Sequence, residues 1–216
     1  MPFKVSKLKG WKKDFIVTAG VYVNINGLFA FQVGPTRSGT TLGVVRLGGH
    51  RENNETGWQC ASREAFEEAS LNLTPMKPPA TYWFEYSDQP ELKIGGWQEE
   101  DVEPILVGRR QDSNQITPVY LACSQDSPVP SAETKGILLL APTEITKIVS
   151  SRITLGQYLD NGGKAVFKEN LPLNLTLEPY PHLRLLETLL HIHPEITTCH
   201  KLSIERKSGS LRGDNN

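Results

Sequence analysis

The chain has 216 residues, of which 38% are apolar and 22% charged, and its formal net charge is −1. That is enough sequence to bury one full core, and the composition is ordinary for a globular protein. A charge this close to zero excludes a global attraction to a nucleic-acid duplex or an anionic membrane, so any anion site has to be a local cluster.

The opening "MPFKVSKLKGWKKDF" is basic but lacks the apolar stretch of a secretory signal. The longest apolar run, "GILLLAP" at 136–142, is far too short to cross a bilayer. Cys60, Cys123 and Cys199 are odd in number and form no CxxC pair, which argues against a disulfide framework and a structural zinc site. The expectation is a reduced, cytoplasmic protein.

In chain order, "VYVNINGLFAFQV" at 21–33 alternates apolar and polar residues and breaks at Asn26-Gly27. Asn-Gly between two such runs predicts a β-hairpin, because both residues accept positive φ. A loop at 34–41 leads to a short strand, "LGVVRL", at 42–47. A charged helix follows. "TYWFEYS" at 81–87 reads as a half-buried strand, and the polar segment 88–104 as a long loop. "TPVYLAC" at 117–123 and "ILLL" at 137–140 are further strands, separated by a turn-rich segment.

"APTEITKIV" predicts a helix with Thr143 as its N-cap and Ile145, Ile148 and Val149 on one face. A second short helix buries Leu155, Tyr158 and Leu159 and stops at Gly162-Gly163. "PHLRLLETLLHIH" at 181–193 predicts a closing amphipathic helix. Residues 194–216 are polar and aperiodic, and are expected to be a disordered tail. His191 and His193, two residues apart on a helix, point away from each other and make no chelate. Strands outnumber helices and their connections vary in length, which implies an α/β sandwich with a mixed sheet.

The charged helix carries the chemistry. Thr56 and Gln59 have capping-box spacing, so it begins near Gly57. Glu64, Glu67 and Glu68 fall within about 100° of one another on the helical wheel. Trp58, Ala65, Phe66 and Ala69 fall on the other side, where a core is expected. Like charges at these spacings repel, and Glu64 has Glu68 rather than a lysine one turn on. A hard divalent cation turns that repulsion into coordination, since Mg²⁺ takes carboxylate and water oxygens together with substrate phosphates. The alternative reading of the acids by themselves is a solvated acidic face. Cys60 lies near the acids on the wheel, with a buried inert thiol as the expectation.

Upstream, Gly48-Gly49 ends a strand, where backbone without side chains can approach a ligand closely. The whole stretch resembles the signature of the Nudix hydrolase superfamily, G-x5-E-x7-R-E-U-x-E-E-x-G-U. Gly49, Glu55, Arg63, Glu64, Glu67, Glu68 and Leu71 stand at its positions, with Ala65 as a small first U. Ser70 replaces the glycine that ends the family's helix, and Leu47 stands where many members have proline.

The resemblance implies a Nudix-like α/β/α sandwich over 14–150, with a C-terminal helical extension, 151–193, packed on it. It implies metal-dependent hydrolysis of a diphosphate bond in a nucleoside diphosphate linked to another moiety, X. The substrate would be a nucleotide sugar such as ADP-ribose, or a related dinucleotide. Alternatives are a nucleoside triphosphate pyrophosphohydrolase and a non-catalytic nucleotide-sensing module of the same fold.

The implied ligands of Mg²⁺ (or Mn²⁺) are Glu64, Glu67, Glu68 and the Gly49 carbonyl. Arg63 would orient the glutamates, and Glu55 would tie the loop to the helix. The general base is Glu64 or a later loop acid, Glu133 in one position and Glu99, Glu100 or Asp101 in another. Positive charge for the diphosphate could come from Arg37, Arg46, Arg51 or the pair Arg109-Arg110. Trp83, Tyr82 and Trp97 are candidates for stacking on a base. The implied partner is a small-molecule nucleotide, with no nucleic-acid duplex and no membrane, and a homodimer is a possible assembly.

Overall fold

The computed structural model describes residues 15–87, 90–110 and 113–199. Strands β1 (Thr18–Ile25) and β2 (Leu28–Pro35) form the hairpin that Asn-Gly predicts, with φ of 54° at Asn26 and 85° at Gly27. Strand β3 (Thr41–His50) is longer than its alternating core suggests and runs up to the charged helix α1 (Gly57–Ala69). Next come β4 (Thr74–Pro75), β5 (Thr81–Glu85), β6 (Lys93–Gly95), β7 (Leu106–Arg109), β8 (Ile116–Cys123) and β9 (Gly136–Leu140). The chain then forms α2 (Pro142–Ser150), α3 (Leu155–Asp160), β10 (Lys164–Phe167), β11 (Thr176–Pro179) and α4 (Pro181–Ile192).

All strands join one mixed sheet in the order β10-β9-β2-β3-β1-β8-β7-β5-β6, with β11 beside β3 and β4 beside β8. Strand β3 pairs antiparallel with β1 over Leu47 to His50 and parallel with β11 over Thr41 to Val44. Helix α1 covers one face through Ala19, Val21, Val23, Cys60, Ala61, Ala65 and Ala69. On the other face, α2, α3 and α4 cover Tyr22, Phe31, Leu42, Val44 and Leu121 with Ile145, Ile148, Leu155 and four leucines of α4. A three-layer α/β/α sandwich results. Among the described residues no helix is long and apolar enough to cross a membrane.

Several local expectations change. Strand β5 is buried on both faces, with Tyr82 and Phe84 in one core and Trp83 with Trp97 in another, because the sheet continues past it to β6. That short strand lies inside the segment read as a loop. Helix α2 starts at Pro142 rather than after Thr143. Proline is suited to the first helical turn, and the Glu144 carboxylate accepts from the Ala141 N–H at 2.7 Å. The segment after Ser151 carries strands as well as helices. Its β10 extends the sheet from β9, β11 lies on β3, and α4 buries Leu183, Leu185, Leu186 and Leu189.

The first residues of the expected tail are ordered. Pro194–Thr197 form a 3₁₀ turn with Ile196 buried. The buried Asn24 amide donates to the Ile196 and Thr197 carbonyls at 3.2 and 2.7 Å, which satisfies a polar group that would otherwise be costly inside the core. Residues 200–216 lie outside the described residues. Cys123 at the end of β8 is disulfide-bonded to Cys199, which corrects the reading of the cysteines. Spacing and an odd count do not decide a pairing across 76 residues, because the fold sets which thiols meet. The inference of a reduced compartment loses its support from the cysteines, since disulfides persist in oxidising surroundings.

Candidate active site

The strand β3, the loop after it and α1 bring together the signature stretch, residues 49–71, called the box below. Thr56 caps α1 as its spacing predicts: its hydroxyl accepts from the Gln59 N–H at 3.0 Å, and the Gln59 side chain accepts from the Thr56 N–H at 2.8 Å. The buried positions of α1 are Gly57, Cys60, Ala61, Ala65 and Ala69. Such small residues let the helix axis lie close to the sheet, so carboxylates at its rim reach the β3 backbone. Phe66 is not in that contact. It is 55% exposed, contrary to the wheel expectation, because the face that meets the sheet is narrow and centred on the alanines.

Other groups of the chain approach the glycine pair closely. A Cβ on Gly49 would overlap the Glu64 carboxylate, and one on Gly48, whose φ is 133°, would collide with the Ala19 carbonyl. The Gly48 N–H donates to Glu68 Oε2 at 2.9 Å. Burial nonetheless pushes the Glu68 carboxyl up to about 7, against the pull of that bond.

Arg63 is the hub. Its Nε and Nη2 pair with both oxygens of Glu55 at 2.7 and 3.1 Å, and Nη1 reaches Glu64 Oε1 at 3.0 Å and Glu67 Oε2 at 3.1 Å. Nη2 also donates to the His50 carbonyl at 2.9 Å. The bidentate partner is therefore Glu55, which also accepts from the Glu52 N–H at 2.9 Å and ties the loop to the helix. The Arg63 guanidinium holds the Glu55 carboxyl below its ordinary range.

The loop acids separate by position. Val129 N–H and Ser131 N–H donate to the carbonyls of Ala69 and Glu68 at 2.9 and 3.0 Å, and the Ser131 hydroxyl donates to the Glu67 carbonyl. This loop thus satisfies the open end of α1 and places exposed Glu133 two residues from those contacts. Glu100 is engaged at the other end of α1. It accepts from the Gly57 N–H at 2.6 Å and the Tyr120 hydroxyl at 2.8 Å, a capping role that no local spacing announces. Asp101 is exposed and Glu99 half-buried, and nothing in the structure draws either toward the box.

The arginine candidates do not gather. Arg37 is exposed on the β2–β3 turn, at the opposite end of β3 from Gly49. Arg46 is buried, its Nη1 donating to the Ala19 and Leu47 carbonyls at 3.2 and 3.1 Å across the bare backbone of Gly20. Arg51 stays in the loop, donating to the Glu55 carbonyl at 3.3 Å. Arg109 pairs with Glu85. Tyr82, Trp83 and Trp97 are core residues, so none is a free stacking surface. Cys60 is fully buried, with its thiol 3.6 Å from the Gly49 carbonyl and pushed up to about 11 by burial. His193 contacts Tyr82 and Glu195, and His191 contacts Glu187.

The donor chemistry around Gly48 and Gly49 suits a hard divalent cation, being carboxylate and carbonyl oxygen. Among the described residues, however, no three acidic, histidine or cysteine side chains are grouped to hold an ion. Glu64 and Glu67 are turned to Arg63, and Glu68 to the Gly48 N–H.

The box thus lies on a strand, a loop and the helix that covers one face of an α/β/α sandwich. No family model matches the chain, and no curated protein is significantly similar to it. Solved structures similar to it include a NUDIX-family hydrolase from Clostridium perfringens, at 19% identity and TM-score 0.43, covering 61% of this chain and 83% of that one. A NUDIX hydrolase from Nitrosomonas europaea has 18% identity and TM-score 0.40, with 60% of this chain and 58% of that chain covered. An Ap4A hydrolase binary complex from C. elegans has 16% identity and TM-score 0.38, covering 62% and 86%.

Proposed function

We propose that the chain is a Nudix-type hydrolase that cleaves a diphosphate bond in a nucleoside diphosphate linked to a moiety X, such as ADP-ribose or another nucleotide sugar. The observation that carries this reading is the packing of the box. Glu64 and Glu68 lie against the bare backbone of Gly49 and Gly48, while Arg63 holds Glu55, Glu64 and Glu67 in one array.

Glu64, Glu67, Glu68 and the Gly49 carbonyl would hold Mg²⁺ or Mn²⁺. Such a cation neutralises diphosphate charge and makes water a better nucleophile. Arg63 positions the carboxylates and, being always charged, limits their mutual repulsion. For the base, Glu64 competes with Glu133, whose loop is bonded to the end of α1. Glu100 is set aside because its carboxylate is engaged at the helix N-terminus.

A nucleoside triphosphate pyrophosphohydrolase is the second reading. It is favoured by one observation: after residue 151, β10 and β11 join the sheet and α4 joins the core, so the segment completes the domain rather than forming a separate substrate-binding unit.

The test is Mg²⁺-dependent turnover of ADP-ribose and of nucleoside triphosphates, scored by product mass in ¹⁸O-water. The doubly substituted Glu64→Gln, Glu68→Gln protein is expected to lose at least about 100-fold in kcat. Undiminished turnover in the variant would remove the box from the mechanism, and absence of turnover in the wild type would leave a binding module.

A further inference from the structure

Strand β2 turns Phe29, Phe31 and Val33 to the α4 side of the sheet and Ala30 to the α1 side. By the same alternation Gln32 faces α1, half-buried and paired across the sheet with Val45 and Ile137. An amide among apolar neighbours is costly to bury unless its donors and its acceptor are met.

The groups that meet it lead to the box. The buried Thr134 hydroxyl donates to Gln32 Oε1 at 3.0 Å, and Gln32 Nε2 donates to the Arg46 carbonyl at 3.5 Å. The Gln32 side chain also hydrogen-bonds Glu68. A carboxylate only accepts, so Nε2 is the donor there too. Turning the amide over would set its oxygen against both the Glu68 carboxylate and the Arg46 carbonyl, so the network fixes one orientation.

Glu68 is thereby tied to one loop twice. Its carbonyl accepts from the Ser131 N–H at 3.0 Å, and the Ser131 carbonyl accepts from the Thr134 N–H at 2.9 Å. Thr134 then returns to the Glu68 carboxylate through Gln32. Glu133 lies on the chain inside that circuit. The Gly48 N–H by itself would leave the carboxylate able to turn about its last torsion, which has a broad range. A second donor fixes its plane, and two bonds on a group with about four lone-pair positions leave room for a cation.

We propose that Gln32 is a positioning residue of the box. Its amide holds the Glu68 carboxylate at the Gly48 edge and joins it, through Thr134, to the loop that carries Glu133. For what Glu68 then does, the proposal rests on the hydrolase reading above.

The experiment titrates Mn²⁺, followed by electron paramagnetic resonance, into the wild type, Gln32→Met, Thr134→Val and Thr134→Ser, with thermal midpoints, kcat and KM measured alongside. Methionine keeps the length of glutamine without its amide. Gln32→Met is expected to weaken Mn²⁺ binding about tenfold or more and to lower kcat without a matching change in KM. Thr134→Val should move both in the same direction, and Thr134→Ser, which retains the hydroxyl, should restore them. A lowered midpoint with unchanged Mn²⁺ affinity would make Gln32 a structural residue and overturn the proposal. Equal affinities in Thr134→Val and Thr134→Ser would overturn it as well, and that pair decides if Gln32→Met does not fold. If the wild type binds no Mn²⁺ and turns nothing over, the hydrolase reading fails separately. The Gln32 side-chain amide resonances of the metal-free protein then decide the link. Movement in Glu68→Ala and in Thr134→Val, but not in Thr134→Ser, supports it, and resonances unchanged in Glu68→Ala overturn it.

Discussion

Two helices of nearly equal length lie on opposite faces of one sheet and are built in opposite ways. Helix α1 buries a glycine, a cysteine and three alanines, whereas α4 buries four leucines. A leucine layer removes much apolar area from water, at roughly 1.5–3 kcal/mol per side chain, so α4 chiefly stabilises. A layer of alanines contributes far less but shortens the distance between helix and sheet. That closeness lets Glu64 and Glu68 lie against Gly49 and Gly48. Stability and positioning are thus assigned to different faces.

The largest effect that would break this contrast concerns α4. Leu186→Ala is expected to cost about 2–5 kcal/mol of unfolding free energy by denaturant titration, since it leaves a cavity in a packed core. Turnover of the folded fraction should stay near wild type. A loss of kcat at a temperature where the protein is folded would show that α4 also positions the site.

Ala65→Leu makes the converse test. Overpacking costs about 1–3 kcal/mol, yet the lifted helix should separate the carboxylates from the glycine edge and reduce turnover more than Leu186→Ala does. If both variants lower turnover equally, close approach of α1 is not what builds the site.

His182, in the first turn of α4, extends the contrast to pH. Its ring packs against Phe84 and Tyr86, and burial, followed by the nearby Arg46 charge, holds it well below its ordinary pKa. Tyr22 faces the same residue, donating to the His182 carbonyl at 2.6 Å. Below about pH 6.5 the unfolded chain takes up this proton and the folded chain does not. Stability therefore falls as pH falls, by up to about 1 kcal/mol per unit from this group. In His182→Gln the urea midpoint should change less between pH 7 and 5.5 than in the wild type. An identical pH slope would remove His182 as its source.

The smallest effect sharpens the description of α1. Ser70 ends the helix at φ 55°, a left-handed conformation that glycine adopts without a Cβ penalty, and its N–H caps the carbonyls of Ala65 and Phe66. Ser70→Gly is expected to stabilise the protein by about 1 kcal/mol, read as a raised thermal midpoint. A destabilised variant would mean that the serine hydroxyl has a role beyond the turn.

Much of the local structure around the candidate site was legible because its signals are local. Asn26-Gly27 announced the hairpin, Thr56 and Gln59 the start of α1, and the spacing of Arg63 and the glutamates one charged face. Ser70 stood out as a departure from the signature's glycine, and the structure shows its positive φ. The short strands β4, β6, β7, β10 and β11 were not legible, because strands of two to four residues have too little alternation to register. The exposure of Phe66 was missed for a related reason: a wheel gives relative angles but not which face meets the sheet.

Local spacing determined, without further help, where α1 starts, where the hairpin turns and which acids share a face. Those features depend on backbone torsions and on neighbours within one helical turn. Only the tertiary structure decided that Cys123 meets Cys199, that Asn24 holds the 3₁₀ turn, that Glu100 caps α1 and that Thr18 joins Thr117 beside the box. Each of these joins residues 43 to 173 positions apart. Such contacts form only when burial of the whole sheet offsets the entropy of bringing distant segments together.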